Sequence, residues 1–355
     1  VALIISTSVI YRQIQYAKDR PMGYNINRLM ITDLNSDLAH KYTVIKNELI
    51  STGIAERVTA ASSPATDLYW HSNIDAWPGM LPGETAEMGT IQIAEDYFKT
   101  FGIAMKSGRD FSTAADTSSV IFNETAIRRL RLTQPLNQMV VWQKHPLRIV
   151  GVVKDAVMSS PFAPVEPTLF LYYPFYENYL MYRLSPKIKT QEAIAKLTGI
   201  FNKYNPAFPF TYQFADQNYA TKFNLEILIG ELAGIFAGLA ILISCLGLFG
   251  LAAYIAELRT KEMGIRKVLG ASVSVLWLML TKDFIVLVLI SCVIASPVSY
   301  YFLHQWLLKY DYRVGLDPLL FIMAAVTAVL ITMVTISFQA IKTAMANPVK
   351  NLRTE

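Results

Sequence analysis

Apolar and polar positions alternate in two different ways along this 355-residue chain. The last third is dominated by three runs free of Asp, Glu, Lys and Arg, at 232–256, 284–308 and 318–341. As α-helix, a run of this length exceeds the ~30 Å hydrocarbon core of a bilayer, which needs roughly 20 residues. The runs predict membrane spans at about 229–256, 283–308 and 318–342, the second kinked at Pro297, where a backbone donor is lost. Buried helices of a soluble protein are the alternative, and three such runs in close succession argue against it. A shorter apolar run, 1–10, stops at Tyr11 and Arg12 and predicts a first span truncated at its start, exiting within 1–19. It lacks the basic start and small-residue cleavage site of a signal peptide.

Residues 20–222 carry charges throughout and pattern like a water-soluble domain. The β-branched runs 119–122 and 147–153 predict strands. Leu38, Tyr42, Ile45 and Leu49 recur at helical spacing, as do Ile194, Leu197, Phe201 and Tyr204. Strands and helices do not alternate strictly, which points to α+β rather than α/β. The stretch 60–89, rich in Ser, Pro, Gly and Trp, predicts a long irregular loop or small subdomain. The domain plan is therefore 1–19, 20–222 and 223–355, with a loop at 257–282 between the first two complete spans.

Composition agrees with this division. Hydrophobic residues make up 53%, charged residues 17%, and mean hydropathy is +0.33, against about 25% charge in soluble proteins. The net charge of +5 does not imply nucleic acid, because basic residues of membrane proteins gather in cytoplasmic loops. The 257–282 loop holds Arg259, Lys261, Arg266, Lys267 and Lys282, and the tail holds Lys342, Lys350 and Arg353, against Lys309 and Arg313 in the opposite loop. That asymmetry predicts a cytoplasmic 257–282 loop and C-terminus, with 20–222 outside. Cys245 and Cys292 lie in apolar runs and suggest no disulfide framework. Gly230, Gly234 and Gly238 share one helix face that admits close approach of another helix, within the chain or from another subunit. Glu231 beside them falls at the outer membrane boundary.

Motifs of soluble chemistry are missing from the sequence. It contains no G-x-x-x-x-G-K-[ST], no H-E-x-x-H and no G-x-S-x-G. His40, His71, His145 and His304 lack metal-ligand spacing. Asp67, His71 and Asp75 are read as loop polarity rather than as a metal site. Trp70 and Trp77 form either a recognition surface or a local core. No catalytic residue, cofactor or metal is predicted.

Residues 257–272 read ELRTKEMGIRKVLGAS. Leu258, Ile265, Val268, Leu269 and Ser272 share a helical face, with Arg259, Lys261, Glu262, Arg266 and Lys267 around the rest. Glu262 and Arg266 form an i,i+4 pair in the favourable order. Gly270 suits the helix end, and Ser272 or Ser274 can cap the next helix. This predicts a short amphipathic helix at the membrane surface, resting on lipid or docking a partner.

The segment KEMGIRKVLGAS resembles a signature of FtsX-like and MacB-like permeases of ABC transporters. GLFGLAAY, IASPVSYYFLHQWL and ANPVKNLRTE are similar to neighbouring segments of that family. Gly108-Arg109-Asp110-Phe111, VIFNETAIRRL and IVGVVKDAVMSSPF resemble the MacB-like periplasmic core domain, and the first 31 residues resemble the opening of the second half of duplicated Bacteroidetes-type permeases. The resemblance implies a membrane α-helical bundle of four spans, the first truncated, plus an α+β extracytoplasmic core domain. It implies a permease subunit of an efflux or export system in the bacterial inner membrane. Its partners would be a separate cytoplasmic ABC ATPase, membrane lipid, a second permease copy or half, and a periplasmic adaptor or cargo. The coupling helix would comprise Arg259, Lys261, Glu262, Ile265, Arg266, Lys267 and Leu269. An FtsX-like scaffold that regulates an outer partner without transport is the alternative.

Overall fold

The structure, a computed structural model, describes residues 1–64, 66–112, 114–173 and 178–345. The predicted tail residues Lys350 and Arg353 and the ANPVKNLRTE ending lie outside these, as does the side chain of Lys342. Two compact units emerge: Arg20–Lys222, and Val1–Asp19 together with the chain from Phe223 onward.

The elements in chain order begin with α1 (Ala2–Lys18), β1 (Leu29–Asp33), α2 (Ser36–Ala39), α3 (Tyr42–Ser51) and β2 (Ala55–Ala61). Next come β3 (His71–Ala76), β4 (Ala86–Ile93), α4 (Tyr97–Phe101), β5 (Met105–Gly108), β6 (Ser119–Asn123), α5 (Glu124–Arg129), β7 (Met139–Trp142) and β8 (His145–Val153). The soluble part closes with β9 (Thr168–Tyr172), β10 (Tyr179–Leu184), α6 (Thr190–Tyr204), β11 (Gln213–Phe214) and α7 (Ala215–Ala220). The remaining helices are α8 (Asn224–Leu258), α9 (Thr260–Val268), α10 (Val273–Leu307) and α11 (Pro318–Met345).

In Arg20–Lys222, the pairings β4–β3, β3–β7, β7–β8, β8–β6, β6–β9 and β9–β4 close on themselves into a six-stranded ring. All six strands contribute to one apolar cluster, including Ile74, Met88, Phe122, Val140, Ile149 and Leu169, joined by Ala126 of α5 and Leu130 at its C-cap. The antiparallel strands β11-β1-β10-β2 extend the sheet from the ring. Their alternation is read out on two faces. Leu29, Ile31 and Met181 meet Tyr97, Phe98 and Phe101 of α4 on one side. Met30, Leu180 and Tyr182 meet Ile45 and Leu49 of α3 and Leu197 and Phe201 of α6 on the other. The unit is α+β. The stretch 60–89 corrects the expectation of an irregular loop: it contains β3, the end of β2 and the start of β4. Ile74 is the one fully buried residue of β3, so its polar neighbours give the sequence no strand rhythm.

The family-like motifs of this unit are structural fasteners. Gly108 has φ +74°, and a Cβ there would strike the Val150 carbonyl, while one at Gly151 would strike the Arg109 carbonyl. Arg109 donates to both oxygens of Asp116 at 2.9 and 2.7 Å. Phe111, whose N–H is held by the Asp110 carboxylate, plugs the core beneath. Asn123 Oδ1 accepts from the N–H of Ala126 and of Thr168, and its Nδ2 donates to the Glu166 carbonyl, so this buried amide is satisfied. Asp155 accepts from Thr125 N, Thr125 Oγ1 and Arg128, fixing α5 to the end of β8.

The other unit is a helical bundle. Among the described residues, α8, α10 and α11 are long and apolar enough to cross a membrane. They leave Ile243, Leu246, Val293, Ile294 and Val334 exposed, a belt that water does not tolerate and lipid covers. Between apolar helices in lipid, contact shape and polar links do the holding. Trp277 Nε1 on α10 donates to Ser337 Oγ on α11 at 3.0 Å, and Thr335 Oγ1 on α11 reaches Cys245 Sγ on α8 at 3.4 Å. Ile5 and Val9 of α1 pack with Leu303 and Leu307 of α10 and Ala324 of α11. Gln13, fully buried, donates to the Tyr312 carbonyl at 2.9 Å and accepts from Val314 N at 2.8 Å, tying α1 to the α10–α11 connection. Helix α10 is continuous through Pro297 and begins at Val273, well before the 283 of the predicted span.

Candidate functional site

Helix α9 sits between the ends of α8 and α10, and both of its junctions are chemically defined. At its start, Arg259 caps α8 and forms an ion pair with Asp283 of α10 at 3.1 Å. At its end, the N–H of Ala271 bonds the Arg266 carbonyl (2.9 Å) and that of Gly270 the Lys267 carbonyl (3.1 Å). With Gly270 at φ +93°, this is a Schellman stop, which glycine adopts without the steric cost of a Cβ. Ser272 Oγ then accepts from Val275 N and starts α10. The cap residues legible in the sequence therefore act as read.

The buried face differs from expectation. Met263 is the anchor: 3% exposed, it packs with Ala252 of α8, Leu276, Leu280 and Phe284 of α10, and Ile336 of α11. Ile265, 53% exposed, faces out, as do Leu258, Val268 and Leu269. Helical periodicity finds an apolar stripe but does not say whether the protein itself covers it. Here the stripe is left open, and one methionine beside Gly264 meets the bundle. That position carries no signal in a periodicity count, because Met263 stands alone between Glu262 and Gly264.

Four basic residues, Arg259, Lys261, Arg266 and Lys267, and one acidic, Glu262, accompany the open stripe within 259–267. Glu262 pairs with Arg266 at 2.6 Å, and Arg266 also lies against the thioether of Met279. Both partners of that pair are about half exposed, so it steadies the helix weakly. The backbone of Lys261 lies in α9. The element thus presents basic and apolar residues between the ends of two long helices.

The predicted glycine face divides. A Cβ at Gly230 would stand 3.4–3.5 Å from Ile10 and Ile14, so this position is where α1 and α8 approach. Gly234 and Gly238 meet nothing within 4 Å and stay open. Glu231 is exposed. In the α+β unit, Asp67 pairs with Lys222, His71 lies 3.0 Å from Glu166, and Asp75 accepts from Lys144 N. These three polar residues serve three separate partners, and no group able to hold a metal ion occurs among the described residues. Trp77 is core, and Trp70 packs edge-on against Trp142 at 5.7 Å.

An α+β unit inserted between apolar helices, with a basic helix at the junction of two of them, defines a class of membrane permease. The profile of the MacB-like periplasmic core domain matches residues 1–200, and that of the FtsX-like permease C-terminal region matches residues 234–348. The chain belongs to this FtsX-like, MacB-like family of ABC transporter permeases. It is 23% identical over 194 residues to the macrolide export ATP-binding/permease protein MacB of Aggregatibacter actinomycetemcomitans, covering 50% of this chain and 30% of that protein. It is 22% identical over 223 residues to the MacB of Mannheimia succiniciproducens, covering 58% and 33%. The chain thus spans about a third of the length of these curated relatives. The crystal structure of the periplasmic region of MacB from Actinobacillus actinomycetemcomitans is similar at 18% identity and a TM-score of 0.40, covering 58% of this chain and 96% of that one.

Proposed function

We propose that this chain is the transmembrane permease component of an ABC-type efflux or export system, in which α9 receives the motion of a separate cytoplasmic ATPase. The observation that carries the reading is the division of labour on α9. Met263 and the Arg259–Asp283 pair root the helix in the bundle, while Ile265, Val268 and Leu269 remain exposed among basic residues. Membrane-surface helices bury such residues in lipid or in a partner, and a rooted helix transmits a push where a loose one absorbs it. Helices α8 and α10 would carry displacement from α9 across the bilayer. On this reading the ATPase is of the class that the family's name implies, and residues 1–355 contain no P-loop.

In this reading α9 faces the cytoplasm, the α+β unit is periplasmic, and the membrane is the bacterial inner membrane. Gly234 and Gly238, open on α8, suit a second permease copy or half. The α+β unit would work on cargo or an adaptor.

The test is copurification of the P-loop ATPase with the full chain. Reversing Arg266 and Lys267 to Glu removes an intrahelical pair worth about 0.2–0.5 kcal/mol, so α9 stays folded, while like charges at the contact cost several kcal/mol. The expected result is loss of the ATPase at normal membrane levels. Undiminished copurification would contradict the docking role.

A further inference from the structure

Arg20 and Lys222 are the first and last residues of the α+β unit, where the chain enters it from α1 and leaves it for α8. Both turn their charge onto one stretch of backbone, the irregular connection 154–167 between β8 and β9. Arg20 Nη1 donates to the carbonyls of Pro161 at 2.9 Å and of Ala163 at 2.6 Å. Lys222 Nζ donates to the carbonyl of Ser159 and, at 3.3 Å, to that of Met158, and pairs with Asp67 at 3.4 Å. A third tie is made by main chain alone: Val157 N–H bonds the Met22 carbonyl at 2.8 Å. Beside it Gly23, at φ +80°, passes so close that a Cβ would stand 2.2 Å from the Asp155 carbonyl oxygen.

An irregular segment has no ladder partners, and its buried carbonyls need donors from elsewhere. Donors from any part of the unit would serve that need. Here both cations come from its two ends, and hydrogen bonds from charged donors are stronger than neutral ones. The chain just outside those ends also runs side by side, with Lys18 Nζ 5.7 Å from the centre of the Phe223 ring.

The connection in turn grips the six-stranded ring. At its start Asp155 holds α5 through Thr125 and Arg128. Near its end Glu166 accepts from Ser159 Oγ at 2.8 Å and lies 3.0 Å from His71 Nε2 of β3, and its carbonyl accepts from Asn123 Nδ2 of β6. The Pro167 carbonyl accepts from Gly89 N of β4 at 2.9 Å. Since the segment also continues into β8 and β9, it is bonded or joined to every ring strand except β7 in this set of contacts. We infer that 154–167 is the strap through which displacement of α1 and α8 reaches the ring, with Arg20 and Lys222 as the positioning residues that fasten it. This rests on the reading of the chain as a coupled permease, but its test needs no ATPase.

The experiment is a double-mutant cycle read by amide hydrogen exchange, on the full chain in phosphatidylcholine nanodiscs. Gly230→Leu forces α1 and α8 apart where Gly230 approaches Ile10 and Ile14. The readout is the N–H groups of Gly89 and Thr168, which bond the Pro167 carbonyl and Asn123 Oδ1 and belong to the ring strands. In the otherwise native chain, Gly230→Leu is expected to change their exchange roughly three- to tenfold. With Arg20→Met and Lys222→Met both present, the same substitution is expected to change nothing. That non-additivity separates a link from a brace, because cations that only satisfy carbonyls leave the effect of Gly230→Leu equal in both backgrounds. An equal effect in both, or no effect in the native background, would overturn the inference. If the chain lacking both cations does not fold, Lys222→Met alone decides, expected to shrink the change; an undiminished change overturns the proposal. If Gly230→Leu blocks membrane insertion, Ile14→Ala takes its place, emptying the same contact instead of overfilling it. Failure of a P-loop ATPase to copurify with the wild-type chain would sink the docking reading and leave this cycle to be judged by its own result.

Discussion

Truncating Met263 to alanine should loosen α9 while leaving every residue it exposes in place. Met263 is the buried side chain that α9 inserts among α8, α10 and α11. Met→Ala in a packed site costs about 2–5 kcal/mol, from lost burial plus the cavity left behind. The lower half of that range applies here, because a short helix at the end of a bundle can settle into the gap. Two further side-chain ties, the exposed Arg259–Asp283 pair and the Arg266–Met279 contact, remain, and an exposed ion pair contributes only ~0–1 kcal/mol. At ~1.4 kcal/mol per tenfold, a loss of about 2–3 kcal/mol raises the population of detached α9 roughly 30- to 150-fold. Amide hydrogen exchange of Thr260–Val268 in the intact protein reads this directly. Ile265→Ala is the control: an exposed residue changes stability by no more than about 0.5 kcal/mol, or two- to threefold in exchange. If Met263→Ala and Ile265→Ala shift exchange alike, or neither shifts it, α9 is not rooted by Met263 and the reasoning fails.

Two further outcomes follow from the α+β unit. Arg109→Ala should remove the cation from the Asp116 carboxylate, 3% exposed in the native pair, which Ser112 N–H and Ser119 Oγ still hold; because those bonds stay and Arg109 itself is half exposed, the cost is about 2 kcal/mol, below the 3–5 of fully buried pairs, and a melting temperature within a degree of wild type would refute it. Glu84 is held at about 2 by hydrogen bonds from Arg131 and from the Leu81 N–H. Its folded value lies below its ordinary one, so its contribution is complete above about pH 4.5 and fades as pH falls toward 2. Arg131→Gln should therefore flatten the acid limb of the stability profile between those values, and an unaltered limb would count against the pairing.

The sequence reveals the spans and hides the sheet for physical reasons. A charge-free run of 25 residues has few soluble explanations, so α8, α10 and α11 are legible one at a time. Their ends are less so: Lys282 and Asp283 mark where charge begins, not where α10 stops, and the helix continues back to Val273. Gly270 and Ser272 are local signals and perform locally. The six-stranded ring depends on pairings between distant segments, such as β4 with β9 and β6 with β8. Within it, β3 buries Ile74 fully and points polar residues outward, so no strand pattern announces it. Periodicity found the stripe of Ile265, Val268 and Leu269 on α9 but not the identity of its anchor, because tertiary contacts decide which face a short helix buries.

The most direct measurement of the central claim is ATPase copurification with Ile265→Asp in the full chain, alongside its membrane level. Ile265 is 53% exposed and outside the apolar spans, so the free protein tolerates the charge and inserts normally. A carboxylate buried at a contact without a partner is costly by several kcal/mol, so if α9 docks through its open stripe, the ATPase is lost while the membrane level holds. Full recovery of the ATPase with Ile265→Asp would contradict docking through that stripe and leave α9 as a helix that rests on lipid.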